Sequence, residues 1–291
     1  METFSFKALG TEWTLLSDGK IFDEATQKNV IEKVALFEER FSRFKDTSEV
    51  NAFREASPGT YGVSSELAVL LERAQLLRTL TQGHYDPASG VILEHMGYDK
   101  KYRFTQSKKP LPSIPVWSIK DKELQLSGPV AFDLGGMGKG YVIDMVAGIL
   151  AAAGYMYYLV DGGGDMYATT KADGSPYTIA LEWPGRTGVS YGTVTLRNQG
   201  LAVSDTATRR FSGHHHIVDA ETGANTERVL GAVGLGATAW DADSATAALM
   251  QWPHCDQTKV EESFGITSII ITQKQEFLVG TDWPGEVFRR A

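Results

Sequence analysis

Phe132-Asp133-Leu134-Gly135-Gly136-Met137-Gly138-Lys139-Gly140-Tyr141 is the stretch on which the reading of this chain turns. An apolar run, Pro129-Val130-Ala131-Phe132, leads into it, and a helix predicted over about 140–153 leaves it. Strand, glycine-rich turn, helix is an arrangement suited to anions, because the helix N-terminus presents free N–H groups and partial positive charge. Four glycines in six residues let the backbone approach a ligand closely, and Lys139 adds a full positive charge, so the parts suit a diphosphate. The loop is not a Walker A sequence: Gly140 follows the Lys where Ser or Thr is required, and Asp133 stands where that motif has its first Gly. The dinucleotide GxGxxG pattern also fails, at Tyr141. The bland alternative is a packing turn with one surface lysine. Asp133 ahead of the loop weighs against it, since a carboxylate beside a phosphate cradle suits a hydroxyl or a metal.

Outward from the loop, a buried strand Tyr157 to Val160 ends in Asp161-Gly162-Gly163-Gly164-Asp165, a tight turn and a potential site wall. Strands are predicted at 177–183, 192–197, 266–272 and 276–280, the last pair joined as a hairpin through Gln273-Lys274-Gln275. Toward the N-terminus, Phe4, Phe6 and Ala8 alternate ahead of Gly10-Thr11 and a run from Trp13 to Leu16, a hairpin or a bulged strand. Val30, Val34, Phe37, Phe41 and Phe44 recur at helical spacing and predict an amphipathic helix over about 26–44. A second helix is capped by Ser64 or Ser65, carries a stripe from Leu67 to Leu80, and stops at Gly83. Residues 99–115, with five basic side chains and three prolines, read as a surface loop, followed by short strands at 117–119 and 123–126. The pattern predicts an α+β protein of antiparallel-rich mixed sheets with packed helices. It forms a single domain over 1–291, with two lobes meeting near 133–165 around a cleft.

A chain of 291 residues buries a core without disulfides, and its 42% hydrophobic and 22% charged content lies in the globular range. A net charge of -8 argues against affinity for nucleic-acid phosphates or anionic lipid. The one cysteine, Cys255, has no partner for a disulfide or a CxxC site and reads as a half-buried thiol. The longest apolar run, Val142 to Ala153, is too short to cross a membrane, and the first residues lack a signal-peptide pattern, which sets the expectation of a cytoplasmic protein without membrane insertion.

Two further clusters carry chemistry. His214-His215-His216-Ile217-Val218-Asp219 holds three of the six histidines; in an extended segment His214 and His216 share a side, and His216 is the one that faces a site. Trp240-Asp241-Ala242-Asp243-Ser244-Ala245-Thr246 starts a predicted helix on which Asp243 and Thr246 share a face. Carboxylate, hydroxyl and backbone carbonyls suit Mg²⁺ rather than zinc. The alternative is plainer: Asp241 or Asp243 as N-cap, and Thr246 satisfied within the first turn.

Taken together and in order, these pieces resemble the ApbE family of flavin transferases, the FAD:protein FMN transferases. The matching blocks are Leu9-Gly10-Thr11, Phe41-Ser42-Arg43-Phe44 with Ser48 to Phe53, and His84-Tyr85-Asp86-Pro87 with Gly90. They continue with Phe132 to Tyr141 and Asp144, Tyr158 to Asp165, Gly200 to Ser204, His216-Ile217-Val218-Asp219 with Thr222-Gly223, and Ala242-Asp243. The resemblance implies that FAD is cleaved at its diphosphate with Mg²⁺, that FMN is joined to a Thr or Ser hydroxyl of an acceptor protein, and that AMP leaves. It implies FAD contacts at Leu9, Phe44, His84, Tyr85, Asp86, Asp133, Lys139 and Ile217, with Phe44 stacking on the flavin. It implies metal ligation by the Gly136 carbonyl, Asp243 and Thr246, and catalytic roles for Asp133, Lys139 and His216, the last assisting proton transfer from the acceptor hydroxyl. Family members commonly place Thr four residues after the metal-binding Asp, where this chain has Ala247; Thr246 is then the hydroxyl nearest that position. Two alternatives share these residues: an FAD pyrophosphatase yielding FMN and AMP, and a flavin-binding protein without catalysis.

Overall fold

The N-terminal alternation resolves into a hairpin of β1 (Glu2–Ala8) and β2 (Thr11–Ser17), in a computed structural model that describes residues 1–101 and 103–288. Its two-residue turn puts Leu9 and Gly10 at φ of 51° and 71°, the positive values that such hairpin turns require. Helix α1 (Glu24–Phe41) starts at Asp23, whose carboxylate accepts the Thr26 N–H at 2.8 Å, and buries Val30, Val34, Phe37 and Phe41. It ends before Phe44, three residues earlier than the periodicity predicts. After β3 (Gly59–Gly62), helix α2 (Ser65–Leu80) starts from Ser64, whose hydroxyl accepts the Leu67 N–H, and buries the predicted leucine stripe.

A short helix α3 (Gly90–His95) precedes β4 (Trp117–Lys120) and β5 (Glu123–Leu126), and β5 pairs with both β3 and β4 in a small antiparallel sheet. Helix α4 (Gly138–Ala152) follows the glycine-rich loop. Then come β6 (Tyr158–Gly162), β7 (Met166–Ala168), β8 (Tyr177–Trp183), β9 (Arg186–Leu196), β10 (Gln199–Asp205), β11 (Arg210–Phe211), β12 (His214–His215) and β13 (Val229–Gly236). The chain closes with α5 (Ala239–Leu249), α6 (Gln257–Phe264), β14 (Thr267–Thr272), β15 (Phe277–Val279) and β16 (Glu286–Val287).

The main sheet has eight strands in the order β1-β2-β6-β7-β10-β13-β14-β15, and every ladder in it is antiparallel, in keeping with the α+β expectation. Both faces are covered. In β14, Ile270 enters the core beneath the helices, while Ile269 and Ile271 enter a second core with Leu181, Tyr191 and Val194 of the β8–β9–β16 sheet. That alternation is the strand period of two. Helices α4 and α5 lie on the first face, α5 directly on β10 and β13. No described helix is long and apolar enough to cross a membrane.

Strands β10 and β13 carry no strand prediction from the sequence. In β13 three glycines interrupt Val229, Leu230, Ala232, Val233 and Leu235, which gives the segment the look of a loop. Gly234 is there because α5 packs on the strand's backbone: a Cβ at that position would stand 2.9 Å from the Ala242 carbonyl oxygen.

Candidate functional site

Helices α4 and α5 meet by their N-terminal turns, and each supplies a carboxylate to the other. Asp144 of α4 accepts the N–H groups of Ala239 and Trp240 at 2.9 and 2.8 Å. Asp243 of α5 accepts the Gly140 N–H at 2.8 Å. Thr238 is the N-cap of α5, so neither Asp241 nor Asp243 caps its own helix. The approach is close enough to demand glycine: a Cβ on Gly140 would lie 2.4 Å from the Ala239 carbonyl oxygen and 2.7 Å from the Asp243 Cβ.

In front of this junction opens a cavity of about 1070 Å³, above the upper end of the usual range for small-ligand sites, with room for a ligand of dinucleotide size. Its wall includes Leu9, Phe44, Tyr85, Asp86, Asp133, Gly136, Lys139, His216, Ile217 and Asp243, so ten of the residues singled out in the sequence converge on one space. On one side Asp133 is fixed by Arg43, whose Nε donates to Oδ2 at 2.5 Å, and by the Gly135 N–H on Oδ1 at 2.7 Å. Burial would raise the Asp133 carboxyl, but the Arg43 guanidinium and the Gly135 bond hold it below its ordinary value. Arg43 is 2% exposed at its side chain and stacks its guanidinium over the Phe44 ring at 4.2 Å. Arg43 thereby ties the aromatic wall to the glycine loop. Nothing local in the sequence marks Arg43 for this role, since Asp133 lies 90 positions away.

Lys139 is no surface side chain. It forms an ion pair with Asp165, which is 1% exposed and also accepts the Val203 N–H at 2.8 Å. Burial pushes the Lys139 ammonium down, and the Asp165 and Asp243 carboxylates more than offset this, so it stays charged at neutral pH. Asp243 is the third carboxylate of the floor and forms no ion pair among the described residues, although the Lys139 and Arg209 charges lie near enough to favour its ionised form. It is 3% exposed, and burial, then the nearby Asp165 charge, push its carboxyl up to about 7. The Tyr85 hydroxyl and the His216 Nδ1 are buried and have no hydrogen-bond partner among the described residues. Burial, then the Arg209 charge, lower the His216 imidazole to about 3, which leaves it neutral at physiological pH. Asp86 lines the wall with both oxygens engaged, by the Trp117 indole N–H, the Ala88 N–H and the Arg78 guanidinium.

Two predicted residues are not part of the wall. The Thr246 side chain is fully buried: its hydroxyl donates to the Asp243 carbonyl oxygen at 3.0 Å and lies 3.1 Å from the Ser204 hydroxyl. Ala247 and Ser204 line the cavity in its place. His84 lies outside it too, its Nδ1 against Asp219 Oδ1 at 2.9 Å and its ring stacked on His254. His214 meets Asn225 Oδ1 at 3.0 Å and His215 is buried against the Thr226 carbonyl, so both are structural. Cys255 is 5% exposed, more deeply buried than expected.

A glycine loop at a helix N-terminus, the charged side chains of Arg43 and Lys139, a buried carboxylate and an aromatic wall around one deep cavity are parts suited to a large, anionic ligand. The chain belongs to the ApbE family, whose model matches residues 9–269. It is 27% identical to the FAD:protein FMN transferase of Haemophilus influenzae, over 85% of this chain and 79% of that one. Its fold is that of the ApbE protein of Thermotoga maritima, with a TM-score of 0.82, 23% identity and 96% of each chain covered. The flavin transferase ApbE from Vibrio cholerae superimposes with a TM-score of 0.79 at 21% identity, over 96% of each chain.

Proposed function

We propose that this protein transfers FMN from FAD to a Thr or Ser hydroxyl of an acceptor protein, with Mg²⁺ and with release of AMP, in the cleft where two lobes meet near residues 133–165. The observation that carries the reading is the floor of the cavity, where among the described residues Arg43 pairs with Asp133 and Lys139 with Asp165, while Asp243 forms no ion pair of its own and feels only the more distant Lys139 and Arg209 charges. Asp243 is left over, forced toward its neutral form by its surroundings, and a divalent cation relieves that strain; the donor set is hard oxygen, which suits Mg²⁺. Asp243 and the Gly136 carbonyl would hold the ion, and when bound it supplies positive charge to the diphosphate oxygens. Thr246 is left out of the set because its hydroxyl is engaged elsewhere.

The remaining work falls to the chain's own side chains. Phosphoryl transfer needs positioning and charge stabilisation more than covalent chemistry. Lys139 and the N–H groups at the start of α4 bind the diphosphate, and Lys139 stays protonated beside Asp165. Asp133, fixed by Arg43, sets the shape of the glycine loop. Phe44, backed by the Arg43 guanidinium, offers a face to the flavin, and Leu9, Tyr85, Asp86 and Ile217 close the pocket against water. His216 is neutral and offers a free ring nitrogen, so it accepts the proton of the acceptor hydroxyl; a bound diphosphate, being anionic, raises its basicity from the low value of the empty site.

The test is to incubate the protein with FAD, Mg²⁺ and a Thr-containing peptide, following AMP and FMN by chromatography and flavin fluorescence on the denatured peptide. Covalent flavin with one AMP per transfer is expected. Free FMN with an unlabelled acceptor assigns hydrolysis instead, and intact bound FAD assigns binding alone.

A further inference from the structure

Behind the wall of the cavity, three chain segments bring His84, Asp219 and His254 together. His84 follows α2, Asp219 follows β12, and His254 lies between α5 and α6. One ligand atom from each lies within 4.8 Å of the others, and among the described residues this is the one group of three such side chains so placed. His84 Nδ1 meets Asp219 Oδ1 at 2.9 Å, and the two imidazoles stack with centroids 3.6 Å apart and planes at 14°. None of the three is needed for the diphosphate site, and the proposed transfer leaves all of them unused.

We propose that His84, Asp219 and His254 form a Zn²⁺ site separate from the flavin cavity. Two imidazoles and one carboxylate are a borderline-soft set matching three protein ligands of tetrahedral zinc, with water as the fourth. Mg²⁺ and Ca²⁺ disfavour it, because they take oxygen almost exclusively. The backbone already holds the segments together without metal. The Ala220 N–H donates to the His84 carbonyl at 2.9 Å, the Gln82 side-chain amide donates to the His254 carbonyl at 3.2 Å, and the Asp219 carboxylate accepts the Glu221 N–H at 2.9 Å. This preorganises the segments and the His84–Asp219 pair and lowers their ordering cost, while the exposed His254 ring turns out of its stack on His84 to aim its lone pair at the ion. His254 is exposed and gives the ion its entry.

The site has a consequence for the cavity. Ile217 and Val218 precede Asp219, Met250 and Gln251 precede His254, and all four line the wall, where the Gln251 amide donates to the Val218 carbonyl at 3.1 Å. Zinc on His84, Asp219 and His254 clasps these two wall segments from the rear. The inference goes beyond the transferase reading and is tested without turnover.

Chelator-treated full-length protein is dialysed against Zn²⁺ alone at pH 7.5, and bound metal is counted. One zinc per chain is expected at about 10 μM free metal. His254→Ala and Asp219→Asn should weaken binding at least ~10-fold, while Asp243→Ala should leave it unchanged. Saturating Zn²⁺ should raise the Tm of the wild type and not that of His254→Ala, whose circular dichroism must match the wild type because the exposed ring is not part of the core. No zinc on the wild type, or equal zinc on wild type and His254→Ala, overturns the proposal.

Discussion

Asp243→Asn should make the metal-free protein more stable. The amide fills the same volume, and its oxygen can still accept the Gly140 N–H that Asp243 now accepts at 2.8 Å. What it removes is the cost of ionising a carboxyl that burial and Asp165 push up from 3.8 to about 7. A raised folded value means stability fully present below about pH 3.8 and progressively lost as pH rises through about 7. At about 1.36 kcal/mol per pKa unit, the loss above pH 7 is on the order of 4 kcal/mol, a large part of a typical folding free energy. Urea unfolding in EDTA, run from pH 4 to 9, should show curves that nearly coincide at pH 4 and a gap in favour of Asn that widens to about pH 7 and then levels. At pH 8, Mg²⁺ should restore stability to the wild type and do nothing for the variant. An Asn variant no more stable than wild type at pH 8, or a gap indifferent to pH, would refute the electrostatic account of the cavity floor.

Other outcomes follow from the same geometry. Thr246→Val should cost about 1–2 kcal/mol through the lost hydroxyl contacts but keep the Mg²⁺ response in thermal unfolding; a lost response would return Thr246 to the metal site. Gly140→Ala drives a Cβ into the Ala239 carbonyl and should cost at least ~2 kcal/mol, with FAD turnover lost; a normal, active variant would show that α4 and α5 need not meet so closely. His216→Ala should slow single-turnover transfer ~100-fold or more while FAD affinity changes far less, and an unchanged rate would remove His216 from the mechanism.

Much of the frame could be read from local patterns, because α1 and α2 each present one apolar stripe to one core. The glycine loop was legible for the same local reason: strand, turn and helix are consecutive. What escaped reading depends on partners far along the chain. Strand β13 reads as loop until α5 is laid upon it, and the pairing of Lys139 with Asp165, 26 positions further on, has no local signal. The displacement of Thr246 is a matter of helical angle: positions three and four residues after Asp243 diverge by about 100°, and the cavity lies on the Ala247 side. No periodicity states which side a cavity will take. The family resemblance places His84 on the flavin with its neighbours Tyr85 and Asp86, but the chain sends its ring to Asp219 instead.

The exchange of carboxylates between α4 and α5 also sets the order in which this molecule can be made. Asp243 stands 103 positions beyond Gly140, and Ala239 stands 95 beyond Asp144. A nascent chain therefore carries the glycine loop and the start of α4 through the synthesis of about a hundred further residues before either partner exists. Closing so large a loop costs entropy and makes docking characteristically slow, so the junction of the glycine loop with α5 should be among the last parts to mature. Flavin binding then acquires a second use, as a reporter that the C-terminal third of the chain has docked.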